Sequence, residues 1–142
     1  MQKILVFQEK NKIKLLAYRN NSKFLETNAF IGKNGLTYNK IEGDGKTPKG
    51  KFHLGTAFGM LKRENIDLPP DTNYIQINDN LYWVDDVHSK YYNNLVDITK
   101  VKKDWSSAEH LIDYPIQYEY AIEIKSNANN LFGKRKCYFL TL

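Results

Sequence analysis

The chain has 142 residues and a mass of 16.6 kDa, the length of one domain, and its 42% hydrophobic content with ten Tyr and seven Phe argues against a disordered segment. No apolar run approaches the roughly 18–20 residues of a membrane-spanning helix, so no membrane span is expected. The net charge of +5 suggests an anionic surface as partner, whether acidic lipid, wall polymer or nucleic acid; the Lys and Arg are scattered rather than run together, so nucleic acid is not expected.

In chain order, Lys3 to Gln8 and Ile13 to Tyr18 read as two strands of a hairpin with a four-residue connection at Glu9–Lys12. Asn20-Asn21-Ser22 signals a turn before a third strand, Phe24 to Ile31. Residues 32–50 are glycine-punctuated and lysine-rich, a long loop of the kind that more often serves function than mere connection. Lys51 to Phe58 resumes as a strand with Phe52, Leu54 and Thr56 on one side, and Met60 to Asn65 as a short helical turn. Tyr74–Ile77 and Leu81–Val84 flank Asn78-Asp79-Asn80 as a second hairpin candidate. Ser106 and Glu109 stand at capping-box spacing, which predicts a short helix over about Ser107–Ile112, and Tyr118–Ile124 closes as a strand. The expectation is one mainly β domain over 1–142 with one or two short helices.

The densest motif is Gly43-Asp44-Gly45-Lys46-Thr47-Pro48-Lys49-Gly50-Lys51-Phe52. Its glycines permit positive φ, Asp44 and Thr47 can bond backbone amides, and Pro48 fixes its own φ. Taken by itself it describes a rigid loop handing the chain to the next strand. It is not a P-loop, because the glycine spacing is wrong: Lys40 stands where a glycine five positions before Gly45-Lys46-Thr47 would be needed, and the segment lacks the alternating acidic ligands of a calcium loop. No metal or cofactor is expected: the three histidines, His53, His88 and His110, are far apart in sequence, and the single Cys137 excludes an internal disulfide and cannot complete a zinc site. Asp85 and Asp86 admit an acid/base role, but adjacent carboxylates after a strand more often cap a turn.

The motif resembles the Gly-Asp-x-x-Thr-Pro-x-Gly-x-Phe pattern of L,D-transpeptidase catalytic domains, the YkuD-like family. Ile31-Gly32-Lys33-Asn34-Gly35, Thr56-Ala57-Phe58-Gly59, Trp83-Val84-Asp85-Asp86, Ser89-Lys90-Tyr91-Tyr92-Asn93 and Trp105-Ser106-Ser107-Ala108-Glu109-His110-Leu111 extend the likeness in order, over roughly Ile4 to Lys134. The resemblance implies a β-sandwich or barrel and a cysteine acyltransferase that cross-links peptidoglycan stem peptides outside the cytoplasmic membrane. Gly43, Asp44, Gly45, Thr47, Pro48, Gly50 and Phe52 are then its structural loop.

That chemistry needs a thiolate, a histidine base and oxyanion donors, which the family takes from a His and a later Ser/Thr-x-Gly-Cys. Neither segment is spelled in these 142 residues, and Cys137, without a neighbouring glycine, reads as a bystander. The chain therefore reads as the front part of such a domain, incomplete at the C-terminus and inactive as written, with no catalytic residue assigned. Residues 133–142 read as an out-of-frame tail: under one permitted coding, removing a single A restores Gly-Lys-Gly-Asn-Ala-Ile-Phe-Leu-His. Incompleteness would expose apolar faces and an unpaired sheet edge. The N-terminus shows only a four-residue apolar run, against the about 7–15 residues of a secretory signal. Two alternatives remain, a non-catalytic peptidoglycan-binding module and a basic nucleic-acid-binding β domain.

Overall fold

A computed structural model describes residues 2–126 and the backbone of Phe139–Thr141. The architecture is mainly β and built from open sheets. Among the described residues the helical content is two single 3-10 turns, at Arg63–Asn65 and Leu111–Asp113, and no helix is long and apolar enough to cross a membrane.

The first third of the chain is a regular antiparallel meander. Strands β1 (Gln2–Glu9), β2 (Lys12–Arg19) and β3 (Ser22–Ala29) pair in the order β1-β2-β3. Both connections are two residues long, tighter than the four-residue hairpin expected, because Glu9 pairs directly with Lys12 and Arg19 with Ser22. Such turns need left-handed backbone. Lys10, Asn20 and Asn21 supply it at φ of 52°, 48° and 68°. The register slips once, between Ala17 and Tyr18, placing an extra residue in β3 as a bulge. Leu15 and Ala17 are the buried side chains of this sheet.

The motif region follows, with the two-residue strands β4 (Leu36–Thr37) and β5 (Thr47–Pro48) paired in parallel. Then comes the body. Strands β6 (Leu54–Gly59), β7 (Tyr74–Gln76) and β11 (Tyr120–Ile124) with β12 (Phe139–Thr141) form a sheet of order β12-β11-β6-β7. Strands β8 (Leu81–Val84), β9 (Leu95–Asp97) and β10 (Ala108–His110) form another, of order β10-β8-β9.

Alternation along β8 explains the core. Leu81 and Trp83 join Phe58, Ile77, Leu111, Tyr118 and Ala121 in one buried cluster, while Val84 points to the opposite side with Val96 and Trp105. Large side chains buried in this way stabilise the fold by roughly 1.5–3 kcal/mol each.

Three expectations are corrected. The 78–80 turn exists, with Asn80 N–H donating to the Asn78 side chain, but β7 pairs in parallel with β6 while β8 pairs with β9 and β10, so the flanking strands are no hairpin. The helix over Ser107–Ile112 is absent: Ala108–His110 is strand and only Leu111–Asp113 turns as 3-10. The intended cap is engaged elsewhere, since the Ser106 N–H and hydroxyl both donate to Asp86. Finally, β6 begins at Leu54, which is 48% exposed, and burial falls instead on consecutive Ala57, Phe58 and Gly59, because this end lies between β11 and β7. Cys137 and most of the 133–142 tail lie outside the described residues; within it, the Phe139–Thr141 backbone pairs antiparallel with Glu123–Ala121.

Candidate functional site

The glycine-rich loop closes on itself through backbone bonds that reach back to the preceding motif string. Asn34 N–H donates to Gly45 C=O at 3.0 Å, Thr47 N–H to Gly35 C=O at 2.8 Å, and Gly32 N–H to Thr47 Oγ1 at 2.8 Å. The approach is so close that a Cβ on Gly32 would lie 2.3 Å from the Gly45 carbonyl oxygen. No other residue fits there without moving the loop. Lys49 N–H donates to Thr37 C=O beyond Pro48, which has no donor of its own. Gly43 and Gly45 turn the chain at φ of 76° and 64°, and the Phe52 ring folds back over Gly50.

Asp44 is the hub of this loop. Its carboxylate accepts from the Lys40 ammonium, from Ile41 N–H at 2.9 Å and from Lys46 N–H at 2.8 Å. Burial opposes its charge, but the Lys40 ammonium and these two amides outweigh burial and hold the carboxyl at about 2, below its ordinary 3.8. Lys40 is itself buried, at 8% exposure, beside a partly exposed Asp44. Sequence spacing anticipated Asp44 as an amide acceptor; the Lys40 partner it did not.

The Tyr92 hydroxyl, donating to Glu42 at 3.0 Å, ties the loop to the body over a long sequence separation. Tyr92 belongs to a second polar unit in which two stretches, 85–92 and 104–107, meet. Asp86 accepts from Ser106 N–H, from His88 N–H and from the Ser106 hydroxyl, and those donors hold it at about 2 against a small opposing effect of burial. Ser107 Oγ donates to Asp85 at 2.6 Å, and Ser89 Oγ to Asp104 at 2.5 Å. Tyr91 packs edge-on against Trp105 with ring centroids 5.8 Å apart. Asp85 and Asp86 thus work as turn acceptors. Held at about 2 by these donors, Asp86 has the character of a turn cap rather than of a proton acceptor tuned towards neutral pH.

Beside this unit a half-open groove of about 490 Å³ runs between the two sheets of the body. Apolar Phe58, Ile75, Leu81 and Trp83 line it together with Asn78, Asn94, Asp97, Lys100 and Glu123. Lys100 and Asp97 pair at 3.2 Å on its rim. The Thr99 hydroxyl and N–H, with Lys100 a lesser influence, lower the Asp97 pKa from its ordinary value. Glu123 accepts from Thr56 N–H at 3.3 Å, and the carboxylate approaches Gly55 so closely that a Cβ there would lie 2.1 Å from its oxygen. These groove residues were not anticipated. The one available signal was a Glu inside the otherwise apolar strand Tyr120–Ile124.

The histidines do not converge. His53 and His88 are exposed. His110 stacks on Tyr82 at 4.4 Å and bridges Asp113 and the Asp79 carbonyl, on a strand rather than the helix expected for it. No cluster of three or more His, Cys, Asp or Glu able to hold a metal occurs among the described residues. No family model, no curated protein and no solved structure matches this chain.

Proposed function

We propose that this chain carries the substrate-positioning scaffold of a peptidoglycan L,D-transpeptidase-like domain, and that it binds stem peptides without itself performing acyl transfer. One observation carries the reading. Four of the stretches that resemble the family, 31–35, the 43–52 loop, the segment around 86–93 and 105–111, are linked in a chain of contacts: Gly32 and Asn34 bond the loop at Thr47 and Gly45, Glu42 bonds Tyr92, and Asp86 bonds Ser106, while 56–59 lies apart in β6. Local turn chemistry alone would not link them. The two body sheets facing each other across a groove are compatible with the sandwich-like arrangement of that family. The groove's mix of amides, carboxylates, a lysine and an apolar floor suits an extended peptide bearing both charge signs. Peptidoglycan as substrate places the site of action outside the cytoplasmic membrane.

Acyl transfer by this mechanism requires a nucleophilic cysteine beside a base. The described residues contain no cysteine, and the hydroxyls of Ser89, Ser106 and Ser107 each donate to a carboxylate. Binding is therefore the activity expected of residues 1–142. The test is co-sedimentation of the purified chain with isolated peptidoglycan, followed by mass spectrometry of the released muropeptides. The expected result is binding that free tetrapeptide stems displace, that Glu123→Gln and Lys100→Gln each weaken about fivefold, and that leaves the stems unaltered. Equal retention on peptidoglycan whose stems have been removed by an amidase overturns the peptide reading. New cross-links that vanish in Cys137→Ala overturn the non-catalytic one.

A further inference from the structure

The basic residues look dispersed along the chain, but the fold does not distribute their charge evenly. The β1–β3 meander, residues 2–29, holds six Lys and Arg against two Glu, a net +4 out of the chain's +5. Strand register then sorts this sheet into two faces. One carries the buried Leu15 and Ala17. On the other, Lys3, Tyr18 and Lys23 stand in one row across the three strands, Leu5 and Leu16 in the next, and Phe7 with Lys14 in the third. Two glutamates share this face: Glu26 beside Leu16, with which Lys23 pairs at 2.5 Å, and Glu9 opposite Lys12 in a fourth row, so four lysines stand against two carboxylates. Leu5 is 43% exposed and Phe7 38%, so an aliphatic and an aromatic side chain lie open between lysines.

We propose that this face is a docking surface for an anionic phospholipid bilayer, with Leu5 and Phe7 entering the boundary between headgroups and acyl chains while Lys3, Lys14 and Lys23 meet the headgroup phosphates. The arrangement matches what an interface rewards: apolar atoms in the middle, and long cationic side chains that lay their methylene stems on them and extend the charge outward. A single-stranded nucleic acid fits less well. It stacks successive bases on a row of open aromatic rings, whereas the open Phe7 stands towards one end of this face. The Tyr18 ring already carries the Lys3 ammonium 4.9 Å from its centre, and the centre of the face is the aliphatic Leu5–Leu16 pair. This surface lies on strands that contribute nothing to the groove between the body sheets, so the inference stands apart from the proposed function.

Vesicle sedimentation of the intact chain tests it. Vesicles with about one-third phosphatidylglycerol should retain the protein at least about tenfold better than pure phosphatidylcholine, and raising salt from about 50 to 500 mM should release it. The triple variant Lys3→Gln/Lys14→Gln/Lys23→Gln should lose about tenfold or more, Leu5→Ser/Phe7→Ser several-fold, and the body substitution Lys62→Gln nothing. Should the triple variant lose its β-sheet circular dichroism, the lipid comparison and salt titration on the unaltered chain still decide. Equal binding to neutral and anionic vesicles, no binding to either, or binding that the folded triple variant keeps, overturns the proposal. A thymidine oligonucleotide that displaces the vesicles at lower concentration than soluble phosphatidylglycerol headgroup would assign the face to nucleic acid instead.

Discussion

The meander and the body of this protein reach β structure by opposite routes. In β1–β3 each strand is eight residues long, each connection is two, and every partner lies within a few residues of the turn. Almost all of its side chains remain in contact with solvent. In the body the strands run three to six residues, yet β6 finds β11 across more than sixty positions and their side chains close a dense aromatic core. Backbone pairing guided by turn chemistry suffices for the first region. Burial of Phe58, Trp83 and Tyr118 holds the second.

The sharpest way to break that contrast is to empty the core. Trp83→Ala should cost about 3–5 kcal/mol, from lost transfer energy plus the cavity left behind. Urea unfolding followed through the remaining Trp105 reads it, and the body should lose stability while meander signals in amide exchange change little.

Next in size is the loop hub. Asp44→Asn leaves the buried Lys40 without its carboxylate and should cost about 2–3 kcal/mol by the linkage between pKa and stability. The same group sets a pH signature. Its carboxyl is held at about 2 in the fold, so the unfolded chain takes up the proton first as pH falls. The stabilisation is full above about pH 4 and disappears between about 4 and 2. Denaturant midpoints measured across that window should fall more steeply for the native chain than for Asp44→Asn.

Smaller effects belong to the meander. Asn21→Gly, at φ 68° in the second tight turn, should stabilise by about 0.5–1 kcal/mol, because glycine takes the left-handed conformation without a Cβ clash. Leu5→Ser, on the open face, should stay within about 0.5 kcal/mol. A loss above about 2 kcal/mol there would mean that this face is packed against something, and the comparison between the two regions would fail.

The same contrast explains what could be read from the chain beforehand. The meander was legible because alternation and Asn-rich turns act within a few residues, although the turn length was misjudged where Glu9 and Lys12 pair directly. The loop was legible through its glycines and through Asp44 as an acceptor of amide bonds. Where reading failed, a distant partner outbid a local one. Ser106 had the spacing to cap a helix, but Asp86, twenty residues away, holds both its donors. Asn78-Asp79-Asn80 does turn the chain, yet the strands it separates join different sheets. The three-residue strand Leu95–Asp97 and the groove residue Glu123 left almost no local pattern, since both depend on neighbours brought in by the fold.

The contact between Thr56 and Glu123, sixty-seven residues apart, has a kinetic consequence. A two-residue hairpin closes in about 1–10 μs, whereas pairing across such a span must first overcome the entropy of closing a long loop. The meander is thus expected to acquire its hydrogen bonds early in refolding, with β6 and β11 joining only when most of the core assembles around them. Residues such as Phe58 and Ala121 would then govern how fast the whole chain folds, while those in the tight turns would mainly alter how the meander frays.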